Sequence, residues 1–240
     1  MKKTLAFWLT LILTLSFAVQ LASVSIRVTG IEMSSFTILM GTGKNPYTDQ
    51  YDIFEYTRRY LPVRPVRYYV NPSGSRLTAS SIIAAVKASF ETWDKAVDNP
   101  QKVKYIELFY DSVQQTTLYG NRYDGKNVVS WGTLSQGVLA VCYTWYYSYS
   151  GAIVEFGIVF NTLYSWGIDP DGEGGTTINA YDIQNIGTHE AGHTLCLGDL
   201  YSSAARELTM YGYGARGETK KRSLGYGDIH GVRYIYGTWS

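Results

Sequence analysis

Histidine and cysteine are scarce in this chain, with three and two copies among 240 residues. Cys142 and Cys196 are too few for a disulfide framework, and no C-x-x-C pair occurs. That excludes cysteine-based zinc ribbons and thioredoxin-like redox pairs. The two thiols are read as free and buried, with a single bridge as the alternative that an oxidising compartment allows. An excess of one charge is lacking as well, since 21 basic residues stand against 20 acidic ones. Nothing global draws the chain to nucleic acid or to an anionic membrane surface, so function has to be sought in a local site. There is no internal repeat. Charged residues make up only 17% and hydrophobic ones 45%, which is a globular composition with enough apolar material for one main core.

One long uncharged run does occur, at the N-terminus. Lys2 and Lys3 precede a stretch from Thr4 to Ile26 without a charge, which marks residues 1–25 as a signal peptide or a signal anchor. Ser16 and Ala18 offer small residues for cleavage after Ala18, and Ser23 with Ser25 offer a second place. The run also has the roughly 20 residues that a bilayer span needs. The protein is therefore expected to be secreted, with membrane attachment only if the segment stays uncut. Residues 26–61 show no sustained periodicity and are read as an N-terminal extension, a linker or a short pro-segment.

From residue 62 to 240 the pattern is that of a compact domain. VRYYV (66–70), VKYIELFY (103–110), NVVSW (127–131), VLAVCYTWY (138–146) and AIVEFGIVF (152–160) read as strands between Gly, Asn and Asp clusters. Ile82, Ile83, Val86, Phe90, Trp93 and Val97 recur at helical spacing over 78–97. Asp182 is placed to cap a second helix, and Asp228 a third bearing Ile229, Val232 and Ile235. The order predicts an α+β fold with a mixed, twisted sheet of about five strands, a long N-terminal helix and two later ones.

The second helix carries GTHEAGHTLCLGDLYSS, residues 187–203, with two of the three histidines. A four-residue step turns about 400° and rises about 6 Å, so His189 and His193 share one face. Two imidazoles at this spacing suit Zn2+, and Glu190 beside the first is placed to act on a metal-bound water as a general base. A catalytic zinc needs a third protein ligand. A continuing helix would carry Asp199 to the wrong side, so the aspartate joins only if the chain reverses, either at Cys196 or at Gly198. His230 reads as a surface or packed residue.

These residues resemble the long motif of the metzincin zinc endopeptidases, H-E-x-x-H-x-x-G-x-x-H with aspartate as the last ligand in some members. His189, Glu190, His193 and Asp199 fall on its positions, and Cys196 stands where the family has glycine. LTMYGYG (208–214) resembles the family's methionine-containing turn, which would place Met210 beneath the metal. AYDIQNIGTHEAGHTL, IVEFGIVFN and RSLGYGDIHGVRYIYG look most like the matrixin group, over roughly 62–237. The chain departs from that group in having no cysteine-switch peptide and no histidines for a second, structural zinc. The resemblance implies a zincin-like catalytic domain that hydrolyses polypeptides. An extended substrate would lie along the strand at 152–160, with specificity set around 208–217.

Other readings remain open at the level of sequence. Glu207 or Glu218 would be the third ligand in a gluzincin-type peptidase, and a secreted binding or structural module would keep the zinc only as a clamp. Asp169, Asp171 and Glu173 copy the first half of a calcium loop, but position twelve is Ala180. This segment reads as a solvated loop, with Ca2+ as the alternative. Lys220, Lys221 and Arg222 read as a solvated basic turn. The aromatic run Tyr143, Trp145, Tyr146, Tyr147 and Tyr149 suits strand packing and substrate contact alike.

Overall fold

The computed structural model describes residues 27–28, 31–40, 65–97, 113–114, 117–174 and 179–236. The expected strand at 103–110 and the N-terminal run 1–25 lie outside them. Ten strands and three helices follow one another: β1 (Arg27–Val28), β2 (Ile31–Met40), β3 (Tyr68–Val70), α1 (Ala79–Val97), β4 (Val113–Gln114), β5 (Asn127–Gly132), β6 (Val138–Tyr147), β7 (Ile153–Asn161), β8 (Trp166–Gly167), β9 (Tyr181–Asp182), α2 (Ile183–Thr194), β10 (Tyr213–Gly214) and α3 (Tyr226–Tyr236). The fold is α+β with a mixed sheet. None of the described helices is long and apolar enough to cross a membrane.

Five strands from the part of the chain after residue 62 form the body of the sheet, in the order β4-β3-β5-β7-β6. The first four run parallel and β6 runs antiparallel to β7. β7 is buried along nearly its whole length, as its apolar run IVEFGIVF requires of a central strand covered on both faces. Because β7 is paired on both sides, it offers no edge to a substrate, and the strand that ends the five-strand body is β6. The expected strand at 152–160 therefore has no open edge along which an extended peptide could pair. Beyond β6 the sheet is extended by β2 and β1, and β10 pairs with the far side of β2.

Residues 31–40 thus form a ten-residue strand inside the region read as lacking periodicity. In IEMSSFTILM each face mixes apolar and polar residues, so the strand shows no alternation of its own. Its register comes from neighbours on both sides, which a single-strand pattern does not encode.

α1 buries Ile82, Val86, Phe90 and Trp93, the stripe that its spacing predicts. The helix packs on α2 through polar contacts as well: Trp93 Nε1 donates to the Thr188 carbonyl at 2.7 Å, and Ser89 Oγ to that of Gln184 at 3.2 Å. Asp182 caps α2 as expected, accepting the Asn185 N–H on Oδ1 at 2.7 Å. It also receives Arg222 at both oxygens, Nε at 2.9 Å and Nη2 at 2.6 Å. The basic run 220–222 is therefore not a solvated turn: Arg222 closes on Asp182 and Lys221 is fully buried. Asp182 has two jobs at once, a cap and one half of a forked ion pair in the interior. Asp182→Ala should lower unfolding stability in urea by about 3 kcal/mol, because it removes the cap and strands the guanidinium. A loss below about 0.5 kcal/mol, the size of an ordinary surface change, would show that α2 does not depend on this residue.

Candidate metal centre

His189 and His193 stand one turn apart on α2, both fully buried, with ring centroids 4.7 Å apart and planes nearly perpendicular. Each Nδ1 is committed to a backbone carbonyl, His189 to Thr209 at 2.7 Å and His193 to Leu197 at 2.8 Å. A carbonyl only accepts, so both Nδ1 atoms carry the proton and both Nε2 atoms present a lone pair. The two Nε2 atoms lie 3.1 Å apart. Burial pushes the His189 imidazole down to about 4, which keeps it neutral and ready to ligate at neutral pH.

Asp199 reaches this pair because α2 ends in a chain reversal. The Leu197 N–H bonds the Gly192 carbonyl at 3.2 Å and the Cys196 N–H bonds that of His193 at 2.9 Å, the paired bonds of a Schellman turn. Cys196 holds the left-handed position with φ of 74°. Of the two reversals considered from sequence, the chain uses the one at cysteine. A side chain there costs about 1–2 kcal/mol relative to glycine. Cys196 is nevertheless buried, with Sγ 3.7 Å from the Tyr236 hydroxyl. Both cysteines are free and buried, as read from sequence.

The reversal delivers Asp199 Oδ1 to 3.1 Å from His189 Nε2 and 3.5 Å from His193 Nε2. Two lone pairs and a carboxylate oxygen facing one another repel unless a cation sits among them. Asp199 Oδ1 is buried without a hydrogen-bond partner among the described residues. Ligands about 2.0–2.1 Å from a tetrahedral zinc lie about 3.3 Å from each other, so the spacing fits that ion, and so does the N, N, O donor set. Among the described residues this is the one convergent group of at least three His, Cys, Asp or Glu ligand atoms.

Glu190 is fully buried beside the triad, and neither carboxylate oxygen has a partner in hydrogen-bond geometry among the described residues. Burial, then the Asp199 charge, push its pKa well up, while the Ile38 and Cys142 N–H groups facing it oppose that shift. Glu207 and Glu218 are engaged elsewhere. Glu207 lies 3.8 Å from Lys220, and Glu218 accepts from Asn185 Nδ2 at 3.2 Å. Asp169, Asp171 and Glu173 do not bring their carboxylates to one point. Asp169 turns to the Gly172 N–H and Asp171 to that of Glu173, while Arg222 donates to the Asp169 carbonyl. His230 stands on α3 near Tyr226, outside the cluster.

Met210 lies against α2 at Gly192, the residue before His193. A Cβ added at Gly192 would fall on the Met210 sulfur and 2.6 Å from Trp93 Cζ2. The turn that carries Met210 is fastened by Asp228, whose carboxylate accepts the N–H groups of Thr209 at 2.8 Å and Met210 at 3.0 Å. Asp228 therefore does not precede α3 as its cap. It sits in the first turn and reaches back to the Gly225 N–H at 2.9 Å, as the third residue of a capping box does. Lys221 Nζ donates to the carbonyls of Thr209 at 3.2 Å and Tyr211 at 2.6 Å from below. The Tyr201 ring lies beside Asp199 at Gly212, and burial together with that carboxylate push its pKa well up. Asp228, Lys221 and Tyr201 were not visible as site residues, because none falls in a motif and their partners are backbone groups or lie across a loop.

Comparison with known protein families and with curated proteins finds no match.

Two outcomes check this geometry. Gly192→Ala should cost about 1–3 kcal/mol of stability by overpacking and weaken zinc binding, read by calorimetry, while unchanged affinity would mean that Met210 does not position the histidines. Burial pushes the Lys221 amine down from 10.5 to about 8. The folded protein then binds fewer protons than the unfolded chain between those values, so stability rises with pH in that window. Wild type should gain on Lys221→Met between about pH 8 and pH 10.5 in urea melts, and a difference that stays flat with pH would contradict a lowered amine pKa here.

Proposed function

We propose that the chain is an exported, single-domain zinc metalloendopeptidase of zincin-like, matrixin type that hydrolyses peptide bonds in polypeptides. The carrying observation is the pairing of two kinds of orphan group in one buried place. Three ligand atoms face a common point, and beside them stands a buried carboxylate that no side chain among the described residues pairs with. A structural clamp needs the first and has no use for the second. The five-strand mixed body, the three helices and the methionine against α2 support the same reading. Export is supported by the uncharged N-terminal run alone.

His189, His193 and Asp199 would hold the zinc, which supplies Lewis acidity and a water whose pKa falls to about 7. Glu190 then takes a proton from water and returns it to the leaving nitrogen, a transfer that requires an unpaired carboxylate facing the reacting atoms. Burial sharpens every charge effect in the site by lowering the local dielectric. The Thr209 and Leu197 carbonyls fix the tautomer and aim of both imidazoles, so the ligand lone pairs are preorganised. Tyr201 supports the third ligand from outside.

Glu190→Ala should bind zinc with near wild-type affinity and lose casein hydrolysis by about 10²–10⁴-fold or more, the span of a general base. Asp199→Ala should lose zinc affinity as well as activity. Full proteolysis in Glu190→Ala would remove the proposed mechanism. Zinc binding with no proteolysis in wild type or in any form with a cleared cleft would favour a clamp in a non-enzymatic module.

A further inference from the structure

The groove beside the metal centre is already filled by the chain's own β2. This strand pairs antiparallel with β6, Phe36 opposite Cys142 and Ile38 opposite Ala140, and parallel with β10, Leu39 opposite Tyr213. Both rims are therefore closed by one extended segment. Its side chains reach the centre itself. The Phe36 ring stacks on His193, with centroids 4.5 Å apart and planes within 10°. Ile38 is fully buried next to Gly214, in the apolar corner where Leu139 Cδ1 and Ile186 Cδ1 also approach that glycine. The Ile38 N–H faces the Glu190 carboxylate.

Of the two peptide bonds between these anchors, Thr37–Ile38 is the one whose nitrogen lies beside the Glu190 carboxylate. Its carbonyl side follows a residue stacked on a metal ligand, and its nitrogen faces the group that would protonate a leaving amine. Upstream, Glu32 accepts from the Tyr146 hydroxyl at 2.7 Å and Ser34 Oγ lies 3.0 Å from Thr144 Oγ1, which holds the strand against slippage along β6. An edge strand is an adhesive surface that a chain either covers or uses for peptide pairing. Here the same segment covers the edge and presents a bond in register with the centre.

We propose that residues 31–40 are the centre's first substrate, bound in cis, and that hydrolysis of Thr37–Ile38 opens the cleft to other extended peptides carrying an aliphatic residue just after the cut bond. The inference rests on the metallopeptidase reading above. In the step, water gives its hydroxyl to the Thr37 carbonyl carbon and the C–N bond breaks. Glu190 carries the water's proton to the Ile38 nitrogen, and the proton of the new carboxyl group follows, leaving a Thr37 carboxylate and an Ile38 ammonium. Until then the chain is latent, and its apparent activity is scaled by the fraction of molecules with an open cleft.

The test uses purified, zinc-loaded protein followed by mass spectrometry and casein hydrolysis. Wild type should develop a new N-terminus at Ile38, with casein cleavage rising about 10-fold or more in step, as expected if roughly nine cleft sites in ten start filled. Glu190→Ala should stay intact. Its amides from 34 to 39 should exchange about 100-fold more slowly than in Glu190→Ala with Ile38→Asp, which cannot seat a charge in the apolar corner. Ile38→Asp alone should cut casein without a lag. Phe36→Ala, a milder loosening, should shorten the lag and serves if Ile38→Asp does not fold. Casein cleavage at full rate from the start with Thr37–Ile38 intact would overturn the inference and leave the peptidase standing. No casein cleavage by wild type, Ile38→Asp or Phe36→Ala would overturn both.

Discussion

The centre depends on one chain reversal. α2 can line up two histidines by itself, but a straight helix would point Asp199 away from them. The turn at Leu195 to Leu197 corrects this in a single step, by placing Cys196 in the left-handed region and closing two bonds onto the helix carbonyls. It does more than redirect the chain. The Leu197 carbonyl, brought back by the same turn, accepts the His193 Nδ1–H and fixes which nitrogen faces His189 and Asp199. Ligand delivery and ligand orientation therefore share one device. The conformational cost of cysteine there is of the order of a single hydrogen bond, small beside the several contacts that over-determine it.

The second support comes from below. The Thr209 carbonyl orients His189 while Asp228 holds the Thr209 N–H, so one residue links the first histidine to α3. Lys221 adds positive charge beneath the neighbouring carbonyls, and Leu200 pairs with the same segment through the Met210 carbonyl at 2.9 Å. The Met210 sulfur then fills the space at Gly192, the residue before His193. The soft, unbranched side chain of methionine suits the narrow gap that Gly192 leaves on α2.

Much of this was legible in the sequence, for identifiable reasons. Helix α1 followed from a six-member apolar stripe, and α2 from a capping aspartate with two histidines on one face, because both are periodic and local. β5, β6 and β7 followed from apolar runs bounded by turn residues. What escaped were features fixed by distant partners. β2 has no alternation because both of its edges are paired, so its neighbours set its register. Lys221 and Arg222 look like surface charges until Asp182 and the carbonyls of 209 and 211 are brought to them. Asp228 looked like a simple cap because its second task, holding the Met210 turn, lies 18 residues away. For Asp199, sequence narrowed the issue to two possible reversal points without choosing between them.

The groove that the five-strand body leaves at β6 is where sequence and structure differ most in consequence. Residues within the stretch read as an N-terminal extension, a linker or a short pro-segment lie along β6 beside the histidines, with Glu190 near one of their amides. Latency, specificity and catalysis would then be properties of one small volume. The claim on which all of this rests is the identity of the third ligand, and X-ray absorption on the zinc-loaded protein tests it most directly. Two imidazole nitrogens with light oxygen scatterers, all at about 2.0–2.1 Å, are the predicted shell. A sulfur scatterer at about 2.3 Å would place Cys196 or Cys142 on the metal in place of Asp199 and contradict the account.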